Sequence, residues 1–171
     1  THAVGRAHDA LRRAIEVGAV GMNLEDQLNP LPDAVAAVTA AVAAGEALGV
    51  PFVVNARTDA FLRAGDTDPD LVLADAIERG RAYLDAGAAT FFVPGRLDEG
   101  QVEALVSALG RQKVNLIAVP GAIDLERMRE LGVARVSFGP WSQNVALTAY
   151  ADLVESALQG GGVPEGTRRL N

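Results

Sequence analysis

Apolar residues are laid out along this chain in two alternating textures. One is a short, almost wholly apolar run, seen from Ala19 to Leu24, Pro51 to Ala56, Ala89 to Val93, Val114 to Val119 and Val133 to Phe138. The other is a longer stretch in which apolar side chains recur every three or four positions before a glycine. Short continuous runs suit strands covered on both faces, as in parallel sheets, whereas a half-exposed antiparallel strand alternates. The longer stretches read as helices with recognisable ends. Asp33 is the expected cap of a helix running through Leu48 and stopping at Gly49. Asp68-Pro69-Asp70 opens a second, with Leu71, Ala74, Ile77, Ala82 and Leu84 as its packing stripe before Gly87. Asp98 and Gln101 have capping-box spacing ahead of Val102, Leu105, Val106 and Leu109, ending at Gly110. A shorter helix (Leu125, Met128, Leu131) ends at Gly132, and a last one runs from about Trp141 to Leu158. A helical pattern also leads the chain: Val4, Ala7, Leu11, Ala14 and Ile15.

The resulting order is a helix followed by five βα units, an α/β chain. Such alternation implies parallel strands joined by right-handed crossovers, which leaves a doubly wound open sheet or a barrel. Residues 1–159 are expected to form one partial (β/α) barrel domain, and 160–171, opening on Gly160-Gly161-Gly162, a flexible C-terminal tail. A complete eight-stranded barrel takes roughly 200 residues or more, so five strands cannot close one. The chain also opens at Thr1 rather than at a methionine, which points to a longer parent.

Composition narrows the function classes. With 49% apolar and 22% charged residues, the 171-residue chain has the balance of an ordinary globular domain. A formal net charge of -7, with both signs scattered, argues against a nucleic-acid partner. No apolar run approaches the ~18 to 20 residues of a membrane span and no signal peptide opens the chain, so no membrane partner and a cytoplasmic location are expected. The absence of cysteine excludes disulfides, thiolate nucleophiles and cysteine-ligated metals. No G-x-G-x-x-G or P-loop motif follows the first strand, so nucleotide binding has no support.

In parallel α/β folds the active site lies outside the carboxyl ends of the strands, so the first polar residues after each run carry the candidate chemistry. After the first run stand Glu25, Asp26 and Gln27. Adjacent carboxylates need a cation or donors nearby. A divalent metal is one answer; the other is that Glu25 pairs with an arginine while Asp26 faces solvent. After the second run stands Arg57, followed by Thr58 and Asp59. Its planar fork suits a substrate carboxylate or phosphate, and it could equally serve as the counter-ion of Glu25. The third and fourth runs both end in Val-Pro-Gly, at Val93-Pro94-Gly95 and Val119-Pro120-Gly121, read first as tight turns. His2 and His8 read as surface or boundary residues. Ser137 and Ser142 lack a histidine base at a strand end, and Trp141 reads as an anchor of the last helix.

Taken together, GAVGMNLEDQ (Gly18 to Gln27) and VVNARTDAF (Val53 to Phe61), followed in order by GAATFFVPG, VNLIAVPGA and LGVARVSFGP, resemble the isocitrate lyase and phosphoenolpyruvate mutase superfamily, in its phosphonomutase-like branch. The resemblance covers nearly the whole chain. It implies a (β/α)8 TIM-type barrel, present here as about five C-terminal βα units, and a homo-oligomer in which the last helix is often exchanged. It implies a Mg²⁺-dependent lyase or mutase that cleaves or forms C–C or P–C bonds in small α-oxo or α-hydroxy carboxylates or phosphonates through an enolate-like species. On that likeness Glu25 belongs to the metal site and Arg57 binds the substrate carboxylate or phosphoryl group.

Three departures qualify the likeness. The segment aligns from the helix after the third strand, so the strands bearing the family's main metal ligands are not in it, and the chain alone is expected to be inactive and a poor Mg²⁺ binder. The cysteine-containing loop of the isocitrate lyases is replaced by Leu28-Asn29-Pro30, which excludes a cysteine acid or base. Pro94-Gly95 stands where those lyases carry Pro-Glu. The competing expectation is a non-catalytic barrel fragment or remnant acting in assembly through the apolar side of the last helix (Val145, Leu147, Tyr150, Leu153, Val154, Leu158).

Overall fold

A computed structural model describes residues 11–170. Its chain divides into two units, one ending at Ser137 and the other beginning at Phe138. Of the leading pattern, residues 11–16 are helical and bury Leu11 and Ile15. Val4, Ala7, His2 and His8 lie outside the described residues.

Five strands alternate with helices in the first unit: β1 (Gly21–Glu25), α1 (Leu31–Ala47), β2 (Val53–Arg57), α2 (Pro69–Asp85), β3 (Thr90–Phe92), α3 (Glu99–Leu109), β4 (Val114–Ile117), α4 (Leu125–Leu131) and β5 (Arg135–Ser137). All neighbouring strands are parallel, and their spatial order is simply β1-β2-β3-β4-β5. This decides between the two topologies left open above. A doubly wound sheet reverses direction at a switch point and gives a shuffled order, whereas a barrel adds each strand beside the last. The sheet matches part of a TIM-barrel-like fold.

Register and the two-residue side-chain period assign the faces. Val54, Ala56, Phe91, Val114 and Leu116 lie on the helix-covered face and are buried. Each valine, leucine or phenylalanine side chain sequestered there contributes on the order of 1.5–3 kcal/mol. The opposite face, which lines the inside of a barrel, carries Asn23, Glu25, Asn55, Arg57, Thr90, Phe92, Asn115 and Arg135. Polar residues inside these apolar runs were not singled out in the sequence, yet they form one ladder across four strands. Asn55 Nδ2 donates to Asn23 Oδ1 at 2.7 Å, and Asn115 Nδ2 and the Thr90 hydroxyl donate to Asn55 Oδ1 at 2.6 and 2.8 Å.

Helix ends follow local chemistry, with two corrections. Asp68 accepts from the Asp70 N–H, Asp98 and Gln101 form the reciprocal capping box, and Gly132 takes the left-handed conformation (φ 95°) that closes α4. Asp33, however, is not a cap. Pro30 occupies that position and Pro32 lies inside the first turn, where a missing N–H costs nothing, so Asp33 becomes a first-turn residue instead. The packing stripe of α2 is also rotated from the expected one. Val72, Ala76, Arg79, Gly80 and Tyr83 are buried, while Leu71 is 65% exposed. An arginine and a glycine replace apolar residues on that stripe, and both have specific reasons given below.

The second unit consists of α5 (Trp141–Leu158) and the segment after it. Trp141 stands at its first position, where its N–H donates to the Phe138 carbonyl. Among the described residues no helix is long and apolar enough to cross a membrane.

Candidate functional site

Glu25 and Arg57 close β1 and β2 and are Cα partners in the register, so they leave the sheet side by side on its inner face. Arg57 Nη2 lies 2.6 Å from Glu25 Oε1. The same guanidinium is held from the other side by Asp59, whose Oδ1 accepts from Nε at 2.9 Å and lies in ion-pair contact with Nη2, also at 2.9 Å. The Phe92 ring on β3 lies 5.9 Å beneath it, within cation–π range. These contacts occupy Nε and Nη2. Among the described residues Nη1 has no partner.

The two adjacent carboxylates part company. Glu25 is 38% exposed in its side chain and stays at the mouth, whereas Asp26 turns inward and is 5% exposed. The expectation that Asp26 faces solvent is therefore corrected. Its Oδ1 accepts from the N–H groups of Leu28 (2.9 Å) and Asp59 (3.1 Å). Its Oδ2 accepts from the Tyr83 hydroxyl (2.8 Å) and from Arg79 Nη1 (3.2 Å). Arg79 also binds Asp75 through Nε and the Asn29 carbonyl through Nη1. That is why an arginine sits on the buried stripe of α2: it carries a counter-charge to Asp26, just past the carboxyl end of β1.

Protonation follows from this geometry. Burial alone would push the Asp26 carboxyl up, but donors from Leu28, Tyr83, Thr58 and Asp59 outweigh it and hold the group below the usual carboxylate range. Burial likewise disfavours the Arg79 charge, and the bonds to Tyr83 and Asp75 more than restore it. Tyr83 is pushed well above an ordinary phenol, chiefly by burial, so it remains a neutral donor. Asp26 also offsets strain. Gln27 and Leu28 both have positive φ (50° and 58°), a conformation costing roughly 1–2 kcal/mol for each non-glycine residue, and the Asp26 bond to the Leu28 N–H holds the turn.

The other marked residues are dispersed. Pro94-Gly95 and Pro120-Gly121 lie in the turns after β3 and β4, and both glycines have positive φ, as the turn reading requires. Ser137 ends β5, and Ser142 lies in α5. A magnesium ion takes six oxygens in octahedral geometry, usually from one or two carboxylates with water. Among the described residues no three of His, Cys, Asp and Glu are grouped to hold a metal, and the Glu25 carboxylate already faces the Arg57 cation. The described residues do not make up a magnesium site on their own.

A parallel sheet whose strands lie side by side in chain order, alternating with helices, defines a class: α/β folds of the TIM-barrel type. The chain belongs to the phosphoenolpyruvate phosphomutase family, whose model matches residues 2–158, within the PEP mutase/isocitrate lyase superfamily. It is 30% identical to an oxaloacetate decarboxylase of Paraburkholderia xenovorans, over 93% of this chain and 56% of that protein. A crystal structure from Burkholderia cenocepacia, described as a phosphonomutase, superposes with a TM-score of 0.79 at 36% identity, covering 90% of this chain and 63% of that one. Oxaloacetate acetylhydrolase in complex with its product oxalate gives 0.77 at 25% identity, covering 95% and 59%. The chain thus spans a little over half the length of these relatives.

Proposed function

We propose that the parent enzyme is a lyase or mutase acting on a small α-oxo or α-hydroxy carboxylate or phosphonate, with Arg57 as its anion-binding group. The observation that carries this reading is the Arg57 guanidinium itself. It is fixed along one edge by Asp59 and Glu25 and open along Nη1 at the carboxyl end of a barrel strand. A guanidinium held in this way presents the two N–H groups of Nη1 to a carboxylate or phosphoryl oxygen in one fixed orientation. Breaking a C–C or P–C bond next to an oxo group leaves an electron pair delocalised as an enolate, and fixed positive charge near the developing oxyanion lowers that barrier. Asp59 and Glu25 orient the fork, and Phe92 walls its underside from water. The relatives' activities, oxaloacetate decarboxylation and oxaloacetate acetyl hydrolysis, are of this chemical kind.

Mg²⁺ belongs to the same reading as the family's charge-stabilising cation. Glu25 would give it one oxygen, directly or through water, and the remaining donors would come from outside the described residues. A homo-oligomer is also part of the proposal, motivated by the apolar residues Val145, Leu147, Tyr150, Val154 and Leu158 on α5.

The test is turnover by the full-length protein across oxaloacetate, phosphonopyruvate, malate-type and methylisocitrate-type acids with Mg²⁺ present. Phosphorus NMR of the phosphonopyruvate reaction separates P–C from C–C chemistry. Turnover of at least one acid, abolished by Arg57→Ala, is expected; no turnover of any would sink the reading.

A further inference from the structure

Asp26 is buried, and both of its oxygens are engaged by donors of this chain rather than left open. We propose that Asp26 is a positioning residue for Arg57: it fixes Asp59, through Asp59 the Nε and Nη2 edge of the guanidinium, and so leaves Nη1 directed at the ligand. The inference rests on the reading of Arg57 as the anion-binding group.

The argument turns on which contacts can orient a guanidinium. Glu25 cannot do so by itself, because the pair is partly solvated (side-chain exposure 26% and 38%) and exposed ion pairs hold geometry weakly. Asp59 can, since its side chain is only 6% exposed and its Oδ1 takes a hydrogen bond from Nε and an ion-pair contact from Nη2. The backbone of Asp59 is held by Asp26, whose Oδ1 accepts the Asp59 N–H across 33 residues of sequence, while the far Asp59 oxygen meets only the exposed Arg63 at 3.5 Å. Asp26 is in turn braced from α2 by Arg79 and Tyr83 through its other oxygen. Were Asp26 only a tie between α2 and β1, Oδ2 alone would serve. The division of labour, one oxygen to the helix and one to the Asp59 and Leu28 backbone, links the helix to the ligand-facing arginine.

The experiment uses ¹⁵N-labelled full-length protein and reads the Arg57 Nε–H resonance, assigned by its loss in Arg57→Lys. Two variants perturb the strut: Asp26→Asn, and Asp26→Asn/Arg79→Met, which also removes the guanidinium stranded by the first change and so preserves folding. Val102→Ala, in α3, serves as a destabilised control. In both strut variants the Arg57 Nε–H is expected to shift and to exchange with solvent about tenfold faster, as loss of a charge-assisted contact implies, while Val102→Ala leaves it unchanged. In parallel, the dissociation constant for oxalate rises about tenfold in the strut variants, in step with the NMR change. A folded strut variant with the wild-type Arg57 signal overturns the proposal. If the Arg57 signal moves but oxalate binds equally to wild type and Arg57→Lys, the strut stands and the anion-binding reading of Arg57 fails.

Discussion

Arg57 Nη2 and Glu25 Oε1 stand 2.6 Å apart because their residues are register partners at the ends of two adjacent parallel strands. The pairing is a consequence of the sheet, so the counter-ion and ligand-binding readings of Arg57 are compatible. One edge of the guanidinium answers Glu25 and Asp59, and the other is open.

Neighbouring carboxylates should respond unequally to neutralisation. Glu25→Gln removes a partly solvated pair and is expected to cost under about 1 kcal/mol. Asp26→Asn breaks a buried pair with Arg79 and is expected to cost about 3–5 kcal/mol. Urea denaturation of the two variants beside wild type measures both, and similar losses would refute the assignment.

Acid stability provides a second check. The Asp26 carboxyl is held below its unfolded value, near 3.9, so the folded state binds its proton less readily than the unfolded state. Its contribution is present above about pH 4 and is lost as pH falls through the lowered folded value. Thermal melts from pH 6 down to pH 2 should therefore show a steep acid limb, flattened in Asp26→Asn/Arg79→Met.

Much of this arrangement was legible in the sequence. The five apolar runs became the five strands, trimmed to the residues that pair, and Glu25 and Arg57 emerged together because both follow such runs. The capping box at Asp98 was readable since its signal is local. Asp26 was not, because the partners that bury it, Arg79 and Tyr83, lie 53 and 57 residues away and approach only through tertiary packing. The α2 stripe was misplaced for the same reason: Arg79 and Gly80 look polar or neutral until their neighbours are known. Asn23, Asn55 and Asn115 were hidden inside runs read as uniformly apolar.

The amide ladder predicts a sensitive interior. Asn55 accepts from Thr90 and Asn115 and donates to Asn23, while Asn115 Oδ1 is already buried without a partner among the described residues. Asn55→Ala strips further buried groups and is expected to destabilise by more than about 2 kcal/mol, whereas Asn23→Ala, at an exposed end, costs less than half as much. Chemical denaturation distinguishes them.

Gly80 permits the close approach of α2 to the sheet. A Cβ there would stand 2.7 Å from Leu109 Cδ1 and 2.9 Å from the Phe91 ring. Gly80→Ala, which favours an isolated helix, is here expected to destabilise by about 1–3 kcal/mol through overpacking, read as a lowered Tm.

The central claim, that Arg57 recognises a small carboxylate, is tested most directly by calorimetric titration of oxalate into the full-length protein and its Arg57→Lys variant. The account predicts saturable binding to wild type and a dissociation constant raised about tenfold or more by lysine, which keeps the charge but loses the fixed Nη1 donors, a charge-assisted contact worth roughly 1.5–3 kcal/mol. Equal affinity for the two proteins, both folded, would contradict it.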